Sequence, residues 1–176
     1  PLFLALIFKD KAEMMKNSLW AVGAALVVNG IILLICDRLP DRKRNAANMT
    51  LGNSLAVGFM QAVAIIPGIS RSGSTITAGV ASGLDREFAA QYTFILSIPT
   101  ILAGAAMSFK DAVSEHAIVA ADIPSYIVGV VVSGVVGFLA IRLLQYILKS
   151  KKFIIFSIYS FVVGAAAIVV GIVKGV

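Results

Sequence analysis

Residues 67–75 read PGISRSGST and lie between two apolar stretches, residues 51–66 and 76–84. The segment places one arginine, four hydroxyl side chains and two glycines within a strongly apolar chain. An arginine at the centre of a bilayer costs about 2.5–3.5 kcal/mol on insertion scales, so it is rarely found there without a function. Its planar donors match phosphate, and Gly/Ser turns expose backbone N–H groups to the same ligand. The segment therefore predicts an anion site, for phosphate, inside a membrane.

The composition of the chain indicates an all-α integral membrane protein. Hydrophobic residues make up 59% of the sequence, charged residues only 14%, and the mean hydropathy is +0.96. A soluble domain carries about 25% charged residues. The net charge of +6 does not indicate a nucleic-acid partner, because the cytoplasmic loops of membrane proteins accumulate Lys and Arg. The bilayer itself is the predicted surrounding of this chain.

The apolar runs predict a single membrane domain over residues 1–176. Complete membrane spans are predicted at about residues 19–36, 88–107, 125–148 and 153–173, and residues 108–124 are predicted to be a polar loop. Gly129, Gly134 and Gly137 in the third span suit close helix packing. The chain begins at Pro1 inside an apolar run, so we expect an N-terminally truncated sequence.

The two arms that flank the polar segment are short. The second arm has about nine residues, or roughly 14 Å of helix, which is half the hydrocarbon thickness. Residues 51–84 are therefore predicted to form a re-entrant helix–loop–helix. The basic loops at 37–50 and 149–152 fall on the same, cytoplasmic side both for a re-entrant segment and for one that crosses twice. Charge alone leaves these two topologies open.

Each residue of the segment has a local interpretation. Pro67 cannot continue a helix, and Gly68 allows a sharp turn. Ser70 and Ser72 can cap the next helix or donate to phosphate oxygens. Arg71 supplies the positive charge. The alternative is an ordinary loop outside the membrane, with capping serines and a solvated arginine, and spacing alone leaves that alternative open.

These residues resemble a known family. PGISRSGST is similar to the PGxSRSxxT signature of the undecaprenyl-diphosphate phosphatases, also called bacitracin-resistance proteins. The stretch REFAA at 86–90, leading to SIP at 97–99, also resembles that family. The resemblance covers about residues 1–176, which corresponds to the C-terminal two-thirds of a typical member. It implies a transmembrane helix bundle that contains half of an inverted-repeat architecture.

The resemblance implies an enzyme of the bacterial plasma membrane. It would be a multi-pass polyprenyl-diphosphate phosphatase that hydrolyses undecaprenyl diphosphate to undecaprenyl phosphate and phosphate, recycling the lipid carrier of cell-wall synthesis. The family's catalytic positions would be Ser70, Arg71 and Thr75. The diphosphate-binding set would be Ser70, Arg71, Ser72, Gly73, Ser74 and Thr75.

One block of the family pattern is absent from this sequence. Family members carry a Glu-rich segment that ends in Ser/Thr-Gly-His, with the catalytic histidine and the acidic residues tied to a divalent cation, Mg²⁺ or Ca²⁺. The only histidine here is His116, which we predict to be a surface residue. We therefore expect no metal ligand in this chain, cation ligands in the missing N-terminal part, and no activity of the chain alone.

The duplicated pattern of the family also assigns Gln61. Gly58, Gln61, Pro67 and Gly73 occupy the positions where that pattern has Gly, Glu, Pro and Gly. Gln61 is predicted to lie behind the anion site, because a buried amide costs less than a buried carboxylate next to phosphate. The alternative, equally open, is that Gln61 bridges helices.

Two other functions compete with hydrolysis of a polyprenyl diphosphate lipid. Broken helices in inverted repeats are also the architecture of transporters, which makes a polyprenyl-phosphate transporter or flippase the main alternative. A membrane scaffold without catalysis is the third. The sequence leaves open whether the protein forms a homodimer.

Overall fold

The computed structural model describes Met15 and residues 18–40, 42–115, 123–149 and 153–174. Within these residues the chain forms the helices α1 (Leu19–Arg38), α2 (Leu51–Val63), α3 (Arg71–Ala81), α4 (Arg86–Ser114), α5 (Ile123–Lys149) and α6 (Ile154–Lys174). Within the described residues, Arg44 and Leu84 form an isolated β-bridge. Helices α1, α4, α5 and α6 are long and apolar enough to cross a membrane. The predicted all-α membrane fold is confirmed. His116, which was predicted to be a surface residue, lies outside the described residues.

Helices α2 and α3 form a short hairpin. They have 13 and 11 residues, or about 20 and 17 Å of helix, against a hydrocarbon thickness of about 30 Å. The start of α2 is tied to the end of α3, because Asn53 Nδ2 donates to the Ser82 carbonyl at 2.7 Å and to its hydroxyl at 3.1 Å. The start of α2 and the end of α3 therefore lie side by side. Re-entry of residues 51–84 from one membrane face stays a prediction.

The most extensive helix contact described is that between α1 and α6. A Cβ atom added at Gly23 would lie 2.8 Å from the Gly164 carbonyl oxygen, and one at Gly164 would lie 2.8 Å from the Gly23 carbonyl oxygen. The two backbones thus cross closely, as small residues permit in membranes. Gly30 extends this interface against the ring of Phe161.

The predicted packing role of three glycines in α5 is wrong for the described part of the chain. Gly129, Gly134 and Gly137 have no neighbouring atom within 4 Å of an added Cβ, and the apolar window of α5 buries none of its residues. A glycine produces close packing only where another helix is present, and the described neighbours of α5 leave this face uncovered.

The end of α1 is joined to the start of α4 by Arg86. This guanidinium is 7% exposed, and its Nη2 donates to the Leu39 carbonyl oxygen at 2.6 Å. The carbonyls at a helix C-terminus have no partner within the helix, and a basic side chain can supply one. Next to it, the Asp85 carboxylate caps α4 by accepting from the N–H groups of Glu87 and Phe88, both at 3.0 Å. Asp85 and Arg86 therefore fix the junction between α1 and α4.

Helix α4 is longer than its predicted span. It continues through residues 108–114, which the sequence assigned to a polar loop, and ends at Ser114. Residues 108–114 contain neither Gly nor Pro, and their charged side chains are exposed, so nothing interrupts the backbone hydrogen bonds. The 29 residues of α4 are about 43 Å long, which exceeds the hydrocarbon thickness.

The glycine crossing predicts a position-specific loss of stability. Gly23→Val is expected to lower the free energy of unfolding by about 1–3 kcal/mol, because the added atoms overlap the α6 backbone. Gly134→Val is the matched control, since it makes the same change in a helix where the added atoms meet nothing. Denaturant or thermal unfolding in neutral detergent measures both variants. Equal losses would contradict the assigned crossing.

Candidate functional site

The signature segment begins with a turn that only glycine fits. Helix α2 ends at Val63, earlier than the predicted arm end at residue 66, and the chain turns before Pro67. Gly68 has φ +98°, and an added Cβ would lie 2.7 Å from the Val22 carbonyl oxygen of α1. A side chain at this position would meet both a strained backbone and a clash. The loop therefore lies directly on α1.

Helix α3 begins inside the signature, with Ser70 as its N-cap. The Ser70 hydroxyl oxygen accepts from the Gly73 N–H at 3.2 Å, and the Ser70 carbonyl accepts from the Ser74 N–H at 3.0 Å. The N–H groups of Arg71 and Ser72 stand at the first two helical positions and have no acceptor within the helix. A helix start with free N–H groups is a site for anions. Of the two serines that the sequence offered as caps, the structure uses Ser70, and the helix begins at Arg71.

The six predicted diphosphate-binding residues divide into an open and a buried group. Ser70 is exposed and Arg71 and Ser72 are partly exposed, whereas residues 73–75 are buried. Among the residues that the structure describes, the Arg71 guanidinium has no hydrogen-bond or ion-pair partner. As far as the described residues show, the structure thus brings one free cation, two free N–H groups and two accessible hydroxyl groups to one helix end.

Thr75 occupies the buried side of that helix. Its hydroxyl donates to the carbonyl oxygens of Arg71 at 2.7 Å and of Ser72 at 3.1 Å, and its side chain is fully buried. The fully buried hydroxyl oxygen of neighbouring Ser74 has no partner within the described part of the chain. The structure therefore directs Thr75 to the backbone of the first helical turn and not to the open face.

Asn29, in the middle of α1, holds the signature in place. Its Oδ1 accepts from the backbone N–H of Ser70 at 2.9 Å, and its Nδ2 donates to the Ser160 hydroxyl of α6 at 3.0 Å. Asn29 is 4% exposed and Ser160 is 3% exposed. One amide therefore joins two membrane helices to the N-cap of α3.

Sequence reasoning missed Asn29, although a signal was available. It is the one strongly polar side chain between Leu19 and Ile35, ten residues into an apolar helix. An amide at that depth faces other protein groups more readily than lipid, because an unpaired polar group in hydrocarbon is costly. Its partners, however, are 41 and 131 residues away along the chain, so spacing alone did not name them.

A cavity of about 390 Å³ lies beside the signature, between α1, α3, α5 and α6. Its polar lining comes from Asn29, Ser70, Ser72 and Ser160. The rest of the lining is mainly apolar and includes Leu144, Phe153 and Phe156. A phosphate group can reach the helix start from this cavity, and a hydrocarbon chain can contact its apolar side.

Gln61 forms the helix bridge that the sequence left as one of two alternatives. Its Nε2 donates to the Thr100 hydroxyl at 3.2 Å and so joins α2 to α4. The Oε1 atom is buried and has no partner among the described residues. A role of Gln61 behind the anion site stays a prediction.

The described residues do not fit a divalent cation. They contain no group of three or more His, Cys, Asp or Glu side chains that could hold a metal ion. The cation implied by the family resemblance therefore has no ligand set in this part of the chain. No chemical step is assigned to a metal here.

Comparison with known proteins matches the sequence to one family. The family model described as bacitracin resistance protein BacA matches residues 1–166. The chain belongs to the BacA family. The family and the four long apolar helices together make it a multi-pass membrane protein.

Several curated relatives of the chain carry the name undecaprenyl-diphosphatase. The one from Halothermothrix orenii is 37% identical over 166 residues, which cover 94% of this chain and 64% of the relative. The one from Methanothermobacter thermautotrophicus is 38% identical over 161 residues, covering 90% and 87%. A relative from Anaeromyxobacter sp. strain K is 38% identical over 160 residues, covering 91% and 54%. The chain thus spans between about half and two thirds of the length of the relatives from Halothermothrix orenii and Anaeromyxobacter, and more of the one from Methanothermobacter thermautotrophicus.

The bridge through Asn29 predicts an energetic coupling between α1 and α6. Asn29→Ala leaves the Ser70 N–H and the Ser160 hydroxyl without their partner, and an unsatisfied buried group costs about 1–3 kcal/mol. Ser160→Ala removes only one of the two hydrogen bonds and is expected to cost less. A double-mutant cycle by unfolding in detergent is expected to give a coupling of about 0.5–2 kcal/mol. Additive effects would contradict the bridge.

Proposed function

We propose that this chain binds the diphosphate of undecaprenyl diphosphate and contributes to its hydrolysis to undecaprenyl phosphate and phosphate in the plasma membrane. The observation that carries the proposal is the start of α3. There the Arg71 guanidinium has no protein partner in the described residues, and the N–H groups of Arg71 and Ser72 have no acceptor within the helix. The names of the curated relatives support this substrate.

The diphosphate would bind at the open group of the signature. Arg71 offers a planar pair of donors to phosphate oxygens. The two free N–H groups of the helix start add a fixed partial positive charge. Ser70 and Ser72 line the cavity and can donate their hydroxyl protons. The prenyl chain would contact the apolar side of the same cavity.

The buried group would position the open group. Thr75 hydrogen-bonds to the carbonyls of Arg71 and Ser72, which fixes the first turn from which the free N–H groups point. Asn29 fixes the N-cap from the other side. We therefore assign Arg71, Ser70 and Ser72 to contact with the diphosphate, and Gly73, Ser74 and Thr75 to the shape of the helix start.

Hydrolysis forms one P–O bond from water and breaks the bridging P–O bond of the anhydride, releasing phosphate. Negative charge on the phosphoryl oxygens must be stabilised while the bridging bond breaks. Phosphoryl transfer depends mainly on positioning and electrostatic stabilisation. One fixed donor of this kind contributes about 3–4 kcal/mol in enzymes where it has been removed. Arg71 would supply this stabilisation, and the described residues offer no group for the proton transfers of the attacking water.

Binding by the 176-residue chain tests the assignment of Arg71. Arg71→Ala is expected to weaken binding of undecaprenyl diphosphate about 10- to 150-fold, because hydrogen bonds to charged groups contribute about 1.5–3 kcal/mol. Arg142→Ala is the matched control, since Arg142 is exposed on α5 and stacks on Phe138. Titration with a labelled polyprenyl diphosphate in neutral detergent measures both variants. Equal affinity of the Arg71 variant and the wild type would contradict the assignment.

Phosphate release tests the reaction itself. In the protein expressed from its whole gene, Arg71→Ala is expected to reduce phosphate release from undecaprenyl diphosphate at least tenfold while membrane insertion is unchanged. Retention of more than a tenth of the wild-type rate would overturn the role of Arg71. Movement of the lipid across vesicles without phosphate release would instead favour the transporter alternative, which the short helices α2 and α3 also fit.

A further inference from the structure

A second cationic site lies at the opposite end of the hairpin from the signature. A cavity of about 360 Å³ is lined by Arg42, Lys43, Arg44, Asn48 and residues 81–83. It lies where α2 begins and α3 ends, whereas the signature lies where α2 ends and α3 begins. The two sites therefore share no residue.

The backbone of this basic pocket is fixed. The Asp85 N–H donates to the Arg44 carbonyl oxygen at 2.8 Å, and Arg44 forms a bridge with Leu84. Gly83 has φ +108°, and the Arg44 guanidinium would lie 3.7 Å from a Cβ added there. Asn48 Oδ1 accepts from the Asn45 N–H at 2.7 Å, which leaves its NH₂ group as a donor.

The charge of the pocket is uncompensated within the described part of the chain. The side chains of Arg42, Lys43 and Arg44 are exposed and have no ion pair or hydrogen bond to a described residue. The acidic groups described at this end of the bundle have interactions of their own: Asp85 caps α4, Asp37 accepts from the Ile154 N–H, and Glu87 in the first turn of α4 is also engaged. A phosphate oxyanion is the ligand that this set of donors fits.

An apolar stripe begins beside the pocket and descends along α2. Leu51, Leu55 and Phe59 are spaced by four residues on one helix face and are 83%, 72% and 65% exposed. Residues at this spacing form a continuous row. The row runs away from the basic pocket along the hairpin, as the acyl chain of a lipid runs away from its headgroup.

We propose that the basic pocket and the apolar stripe together bind an anionic phospholipid of the bilayer. Its phosphate headgroup would occupy the pocket of Arg42, Lys43 and Arg44, and one acyl chain would lie along Leu51, Leu55 and Phe59. Clusters of basic residues beside a membrane helix attract anionic headgroups. The end of α1 and the start of α4 lie at the same end of the bundle as this pocket, and basic residues at the ends of membrane helices are typical of the membrane surface. This inference does not depend on the proposed hydrolysis.

The test is a lipid-binding titration of the 176-residue chain in neutral detergent. Labelled phosphatidylglycerol is the probe, and unlabelled phosphatidylglycerol, phosphatidylcholine and inorganic phosphate are the competitors. We expect displacement by phosphatidylglycerol alone. Equal displacement by inorganic phosphate would overturn the lipid assignment in favour of a free-anion site. Equal displacement by phosphatidylcholine would overturn recognition of the anionic headgroup.

A matched pair of variants separates the pocket from net charge. Lys43→Gln with Arg44→Gln is expected to weaken phosphatidylglycerol binding on the order of 10- to 30-fold, since each basic residue near the surface contributes about fivefold. Lys110→Gln with Lys174→Gln removes the same charge at the far ends of α4 and α6 and is expected to change affinity less than twofold. Equal effects of the two pairs, or no effect of the first, would overturn the proposal.

A third variant tests the acyl-chain stripe. Leu55→Ala with Phe59→Ala is expected to weaken binding of long-chain phosphatidylglycerol at least threefold and to leave binding of a short-chain form unchanged. Unchanged affinity for both forms would overturn the stripe as part of the site. A change from dimer to monomer on gel filtration would show that a second copy of the chain covers the stripe, and would also overturn it.

Discussion

Backbone that leaves a helix among apolar surroundings must find its hydrogen bonds within the protein, and the arrangement around the signature follows from that constraint. The loop between α2 and α3 lies against the apolar helix α1 and is subject to it. Asn29 satisfies the N–H of Ser70, the Ser70 hydroxyl satisfies Gly73, and Thr75 donates back to the first turn. Within the described part of the chain, the N–H groups of Arg71 and Ser72 at the helix start remain without an acceptor. They are the groups to which the proposed diphosphate site is assigned.

The helix packing around the loop holds Asn29 and the N-cap of α3 in place. The crossing of Gly23 with Gly164 brings α6 close enough for Ser160 to reach Asn29. Gly68 lets the loop lie against α1, and Gly73 lies against Leu33 of the same helix. Four glycines on separate elements therefore serve one purpose, which is to permit close approach of the chain around a polar group. The far end of the hairpin is fixed independently by Asn53 and Arg86.

Much of this arrangement could be predicted from the sequence, because its signals are local. Apolar run lengths gave the four long helices, and the order of Pro, Gly, Ser and Arg in residues 67–75 gave a turn followed by a helix start. The remainder depends on partners far along the chain. Nothing near Asn29 indicates Ser160, and nothing near Arg86 indicates the Leu39 carbonyl. The glycines of α5 were predicted to be packing positions, but composition does not indicate whether a neighbouring helix is present.

The separation of Asn29 from Ser160 has a consequence for biosynthesis. The two residues are 131 positions apart, in the first and the last of the described helices. At a synthesis rate of about 5–20 residues per second, roughly 7–26 s pass between their emergence. During that time the amide of Asn29 lacks its Ser160 partner. The hydrogen bond from α1 to α6 can form only after α6 has been synthesised, so the N-cap of α3 gains this support late.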